Sequence, residues 1–231
     1  MKKQDFIVII LVILFFVPFF VFDNVYQWYL SANQSNPYLM AFAKFAILST
    51  FGEMVAMRIK TGNYYNSSFG LLPKMLVWGI LGMWIAFSMK VFSIGVPSVV
   101  DKIIGGSSDL IDAMQNPFSP TKLLGAFCIS LIMNTSFAPV FMTLHKVTDT
   151  HIAKYNGKIV CLTKPIQATE ILSSIDWKVQ WRFVFKKTIP FFWIPAHTIT
   201  FILPAEFQVL FAALLGIALG LILAFAAMKK S

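Results

Sequence analysis

A chain of 231 residues that is 58% apolar and 13% charged, with 24 Phe, has too little polar surface to coat an ordinary soluble domain, so lipid belongs to its solvent. A net charge of +9 would raise nucleic acid as a partner in a soluble protein, but here the charges are confined to segments between apolar runs. That pattern orients helices in a membrane and argues against phosphate reading.

The apolar runs are measured against the roughly 20 residues that a helix rising about 1.5 Å per residue needs to cross a bilayer core. The first, Phe6 to Phe22, follows Lys2 and Lys3 and ends at Asp23. Its length and the interfacial aromatics Tyr26, Trp28 and Tyr29 favour a retained span, while the small pair Ser31-Ala32 keeps a cleaved signal peptide as the alternative. Further spans are expected over 38–59, 72–95 and 123–144. The last run, Thr188 to Met228, is about twice the length of one span. Pro204 divides it, and proline suits the first turn of a restarted helix, so spans over 188–203 and 205–228 are expected. The predicted fold class is an all-α integral membrane protein, one domain over 1–231 built as a compact bundle of about six transmembrane helices.

Charge bias tests that count. With the N-terminus inside, the inner segments carry Lys2 and Lys3, then Arg58, Lys60 and Lys74, then the basic stretch from Lys146 to Lys187, then Lys229 and Lys230. The outer segments carry Asp23; Asp101, Asp109 and Asp112 against Lys102 and Lys122; and Glu206, with Gly105-Gly106-Ser107-Ser108 as an outer turn. Agreement at every loop places both termini in the cytoplasm. The absence of an Arg-rich transit pattern favours a cell inner (plasma) membrane. In the long inner loop 145–187, Tyr155-Asn156-Gly157-Lys158 is a turn signal consistent with a small hairpin. Ile171, Leu172 and Ile175, followed by Trp177 and Trp181, suggest an interfacial helix. An irregular basic loop lying on headgroups is the competing reading.

Ionisable groups inside apolar runs are costly and need a reason. Lys44 lies about two turns into the second span and His197 about two turns inward of the Pro204 turn, so similar depths are expected. With Lys90 near the outer end of the third span and Glu206 at the outer turn, they could line an outward-facing, net-positive vestibule for anions. Snorkelling of Lys90 and Glu206, and bundle-stabilising contacts for Lys44 and His197, are the plainer alternatives. Glu53 stands about one and a half turns before Arg58, as an inner polar gate or a helix-packing ion pair. Asn134 precedes Pro139, whose missing N–H frees a carbonyl that a cavity or a packed kink must satisfy. Gly216 and Gly220 form a small-residue face for packing within the bundle or between protomers, which keeps a homo-oligomer among the expected partners.

Catalytic chemistry has little support. His145, Asp149 and His151 cluster beyond the fourth span, where a metal, a headgroup phosphate or a polar helix exit could each account for them. No phosphate-cradling Gly loop, GxSxG elbow or HExxH motif is present. Two cysteines, Cys128 in an apolar run and Cys161 in a polar one, make neither a disulfide framework nor a zinc spacing. No catalytic residue, metal or cofactor is expected; the expected partners are membrane lipids and small solutes, without nucleic acid.

Trp193-Ile194-Pro195, then Thr200-Phe201-Ile202-Leu203-Pro204 and a long apolar helix, resemble the Trp-Pro, Asn-Phe and Val-Pro signature of the Mpv-type family of peroxisomal and inner-mitochondrial membrane pore proteins. Gly52-Glu53 is similar to that family's Gly-Asp, and Asn134 with Phe137-Ala138-Pro139 to its Asp-Gln followed by proline. The resemblance runs from about Phe42 to Met228. Met133 replaces the family's Asp, Gln208 its Arg, and the terminal Trp-Asn is missing. A distant, bacterial-like member is implied, and with it a compact helical bundle forming a pore for small solutes. The leading expectation is a pore or facilitative pathway for small anionic solutes; a non-transporting membrane scaffold is second, and a membrane-embedded lipid-modifying enzyme third.

Overall fold

The computed structural model describes residues 2–104 and 109–228, so the Gly105–Ser108 turn and Lys229 and Lys230 of the inner charge set lie outside the described residues. All regular structure among the described residues is helical. In chain order the helices are α1 (Lys3–Val21), α2 (Asp23–Ser35), α3 (Pro37–Thr61), α4 (Leu71–Ile103), α5 (Leu110–Gln115) and α6 (Pro120–Lys154). A 3-10 turn (Ile159–Thr163) follows, then α7 (Ala168–Ser174), α8 (Trp177–Val179), a π-helical stretch (Gln180–Trp193), α9 (Ile194–Ile202) and α10 (Ala205–Met228).

Five helices are long and apolar enough to cross a membrane: α1, α3, α4, α6 and α10 over Ala205–Ile222. The expected span 188–203 is helical too, but not uniformly so. Its first part belongs to the π-helical stretch and its second to nine-residue α9. Pro190 and Pro195 each withdraw a backbone donor, and the intervening turns widen: the N–H of Ile194 reaches the carbonyl of Ile189, five residues back.

Helix ends here follow caps and turns rather than the limits of the apolar runs. α3 stops at Gly62, which adopts the left-handed conformation (φ 82°) that a terminating residue takes most cheaply as glycine. α4 continues past Pro97 to Ile103, well beyond the expected end near 95. α6 starts on Ser119, whose hydroxyl accepts from the Lys122 N–H, and runs past Leu144 to Lys154. At about 1.5 Å per residue, α4 and α6 are each roughly 50 Å long and outrun a bilayer core of about 30 Å.

The expected hairpin is absent. Asn156 (φ 52°) and Gly157 (φ 69°) do make a tight reversal, but it closes the end of α6 and leads into the 3-10 turn. A side chain at Gly157 would lie 2.4 Å from the Gly70 nitrogen, so this reversal is pressed against the segment that starts α4. The expected short helix after Pro165 is α7, whose Ile171, with Ile175 just beyond it, packs on Val147 of α6. α2, expected as an outer connection, is a helix opened by Asp23 in its first turn and ended before Pro37.

The core joins Phe45 and Leu48 of α3, Met89 and Val96 of α4, Ala126, Ile129 and Met133 of α6, Phe201 of α9, and Ala212 and Ala213 of α10. Glycines bring the axes close. Gly79 and Gly82 of α4 receive the rings of Phe42 and Phe45, and Gly52 of α3 meets the backbone of Ile217. Gly216 and Gly220 face Ser49, Ala56 and the Gly52 carbonyl, so this small-residue face is used inside the bundle, against α3. α1 buries no residue. Its first turn is tied to the end of α3 by Arg58, which donates Nε and Nη2 to the two Asp5 oxygens at 2.8 Å each, while Phe19 near its other end meets Tyr29 of α2.

Candidate functional site

A cleft of about 620 Å³ opens between α2, α3, α4, α5, the start of α6 and the α9–α10 turn. Lys44, Lys90 and Glu206 all line it, and Lys122, which the sequence offered only as a loop charge, joins them. Three ammonium groups thus face a single carboxylate among the cleft's lining residues. The tight turn at Pro204 positions Glu206 by restarting the chain as α10, as proline in a first turn allows. Ala86, Met89 and Phe201 also line it, and all three are buried.

Lys44 is the deepest of the charges on α3, only 8% exposed. Its ammonium donates to the Asn33 side-chain oxygen and lies 5.1 Å from the centre of the Tyr29 ring. Neither Lys44 nor Lys90 forms an ion pair with a carboxylate among the described residues. An ammonium carries three donors, so Lys44 retains hydrogen-bonding capacity toward a ligand. A buried ammonium such as that of Lys44 attracts an anion more strongly than the same charge in open water.

Glu53 belongs to a separate cluster nearer the opposite end of α3. Lys74 donates to it at 2.5 Å and Trp78 Nε1 at 2.7 Å, from consecutive turns of α4. Lys74 also donates to Asp149, and His145 Nε2 lies 3.4 Å from Glu53 while its ring lies 4.3 Å from that of Trp78, tilted by 38°. Glu53 therefore pairs with Lys74 rather than Arg58, which is taken by Asp5. Three helices are clamped by this network, and its carboxylates are each met by a cation.

Asn134 and His197 do not line this cleft. They meet across the α6–α9 seam, with the Asn134 amide 3.3 Å from His197 Nδ1. Ser130 donates to the Ile194 carbonyl at 2.7 Å, and Asn134 is held to its own helix by the Ser130 carbonyl at 2.8 Å, so two polar side chains of α6 bond across the seam to α9.

The His145, Asp149 and His151 cluster is divided. His145 and Asp149 share the face of α6 that meets Glu53 and Lys74, whereas buried His151 donates Nε2–H to the Cys161 carbonyl at 2.9 Å. Among the described residues no group of three His, Cys, Asp or Glu side chains is arranged to hold a metal. Outside the helices long enough to span, burial pushes the Cys161 thiol and the Tyr29 hydroxyl up from their ordinary ionisation ranges.

Compared with known protein families, characterised proteins and solved structures, the chain matches none. The Mpv-type likeness accordingly rests on its short motifs alone, and the reading of function rests on the two charge clusters and the core between them.

Proposed function

We propose that the chain is a six-span protein of a cell inner membrane, with both termini cytoplasmic, that provides a facilitative pathway for small anionic solutes. The observation that carries this reading is the cleft in which Lys44, Lys90 and Lys122 oppose one carboxylate, Glu206. Its outer position follows from the charge bias of the loops, which sets the Lys74 and Asp149 end of the bundle toward the cytoplasm. Met89 and Phe201 form the buried part of the cleft wall, the core residues Phe45 and Leu48 pack against them, and Glu53, Lys74, His145 and Asp149 are cross-linked farther along the bundle. That order of layers favours a gated carrier, open to the outside and closed within, over a permanently open pore. Glu53 serves as the inner gate in this reading, while Asn134 and His197 hold α6 to α9 rather than contact solute.

Flux of small organic acids and inorganic anions into liposomes containing the purified protein tests it. Lys44→Ala and Lys90→Ala are each expected to lower flux about tenfold, as loss of roughly 1.4 kcal/mol of anion attraction would. High salt is expected to weaken flux of the unaltered protein, because the cleft is open to the screening solution. Folded variants with undiminished anion flux would remove the cleft from the pathway.

A further inference from the structure

A second crevice, of about 630 Å³, lies on the other side of Lys44. It is walled by Phe15, Phe16 and Phe19 of α1, Trp28 of α2, Ile47 of α3 and Leu210 of α10, with almost no polar surface. Phe20, 86% exposed, stands on its rim, on a helix that buries no residue and would face lipid along its length. Lys44 lines both cavities, and its ammonium lies between Asn33, which lines the cleft, and the ring of Tyr29, which lines the crevice. The crevice falls within the roughly 300–1,000 Å³ of sites that enclose a ligand.

We infer that this crevice binds a long-chain carboxylate, a free fatty acid of the surrounding bilayer, with its carboxylate on Lys44 Nζ and its acyl chain between α1 and α3. The chemistry at the two ends selects the ligand class. Lys44 has no carboxylate partner among the described residues and retains donors, so it favours an anion. The aromatic walls favour hydrocarbon, whose burial there removes apolar surface from water or replaces loosely packed lipid. A small hydrophilic anion satisfies the first end and leaves the second empty; a neutral lipid does the reverse. One point charge and one crevice suit a single chain with a compact headgroup better than a two-chain phospholipid. This assignment stands apart from solute flux, since the crevice can be filled whether or not the cleft conducts.

Tryptophan quenching by dibromostearate, with the full chain in phosphatidylcholine nanodiscs, tests the inference. Saturable quenching is expected, with a component lost in Trp28→Phe. Lys44→Gln is expected to weaken binding about tenfold, Lys44→Arg to retain it, and Ala43→Phe, which narrows the crevice without lining the cleft, to abolish it. Variants are compared at matched gel-filtration profiles and melting temperatures. Quenching that does not saturate, or that folded Lys44→Gln leaves unchanged, overturns the assignment. Displacement of the stearate by phosphatidylglycerol at equal concentration would give the crevice to a phospholipid and overturn it as well. Because Ala43→Phe spares the cleft, failure of stearate binding with intact anion flux separates this inference from the transport reading.

Discussion

Lysines carry opposite duties at the two ends of this bundle. Lys74 is held by Glu53 and Asp149 and closes helices together, whereas Lys44 is desolvated with an amide oxygen and a ring as neighbours. The sequence marked Lys44, Lys90 and Glu206 because a charge in an apolar run is expensive, and these three do share one cleft. It marked His197 and Asn134 on the same ground, but cost alone cannot distinguish a solute contact from a satisfied seam. Lys74 counts in the sequence only as an inner-loop charge, because it sits in the first turn of α4, where a lysine needs no explanation. Cys161 offers a test at this scale. Burial at 1% exposure favours its neutral thiol, so its ionisation lies above the ordinary thiol range. In a Cys128→Ala background, alkylation of the native protein is expected to lag behind that of the unfolded chain. The rate should keep climbing at pH values where a free cysteine has levelled off; matching pH profiles would place Cys161 at the surface.

Helices α3 and α4 depend on glycine for their approach. A methyl group at Gly82 would lie 2.5 Å from Phe45 Cβ, on a core residue that has little room to retreat. Gly82→Ala is expected to destabilise the bundle by about 1–3 kcal/mol through overpacking. Thermal unfolding in detergent reads this out, and an unchanged midpoint would mean that α3 and α4 are more loosely joined than described. Which stretches are helical was largely legible from apolar length, but where they end was not. Apolar length reports contact with lipid, while termination depends on local devices such as the left-handed Gly62 and the Ser119 cap. α4 and α6 therefore outrun their apolar segments, and the polar helix α2 was read as a connection. The Asn156-Gly157 reversal shows a related ambiguity: its turn chemistry is correct for a hairpin, yet a turn signal does not specify what it joins.

For the whole molecule, alternating helix direction brings the Asp5, Arg58 and Lys74 ends together, away from the Lys90 and Glu206 cleft. Single cysteines in a cysteine-free background test the proposed orientation. Asn116→Cys is expected to react with an impermeant maleimide on intact cells, and Asn63→Cys only after permeabilisation. The reverse pattern would invert the protein, and labelling of both on intact cells would contradict the odd number of crossings between them. Within this architecture α1 stands apart. The other long helices contribute buried residues to a shared core, but α1 is joined by its Asp5 tether, its aromatic contact with α2 and one partly buried ring, Phe16. Order of assembly follows from that asymmetry. α1 can meet α2 and the end of α3 as soon as these follow it, but the crevice beside it closes only once Phe207 and Leu210 of α10 have arrived. In a bilayer, hydrocarbon would thus have access to the crevice before its α10 wall is in place.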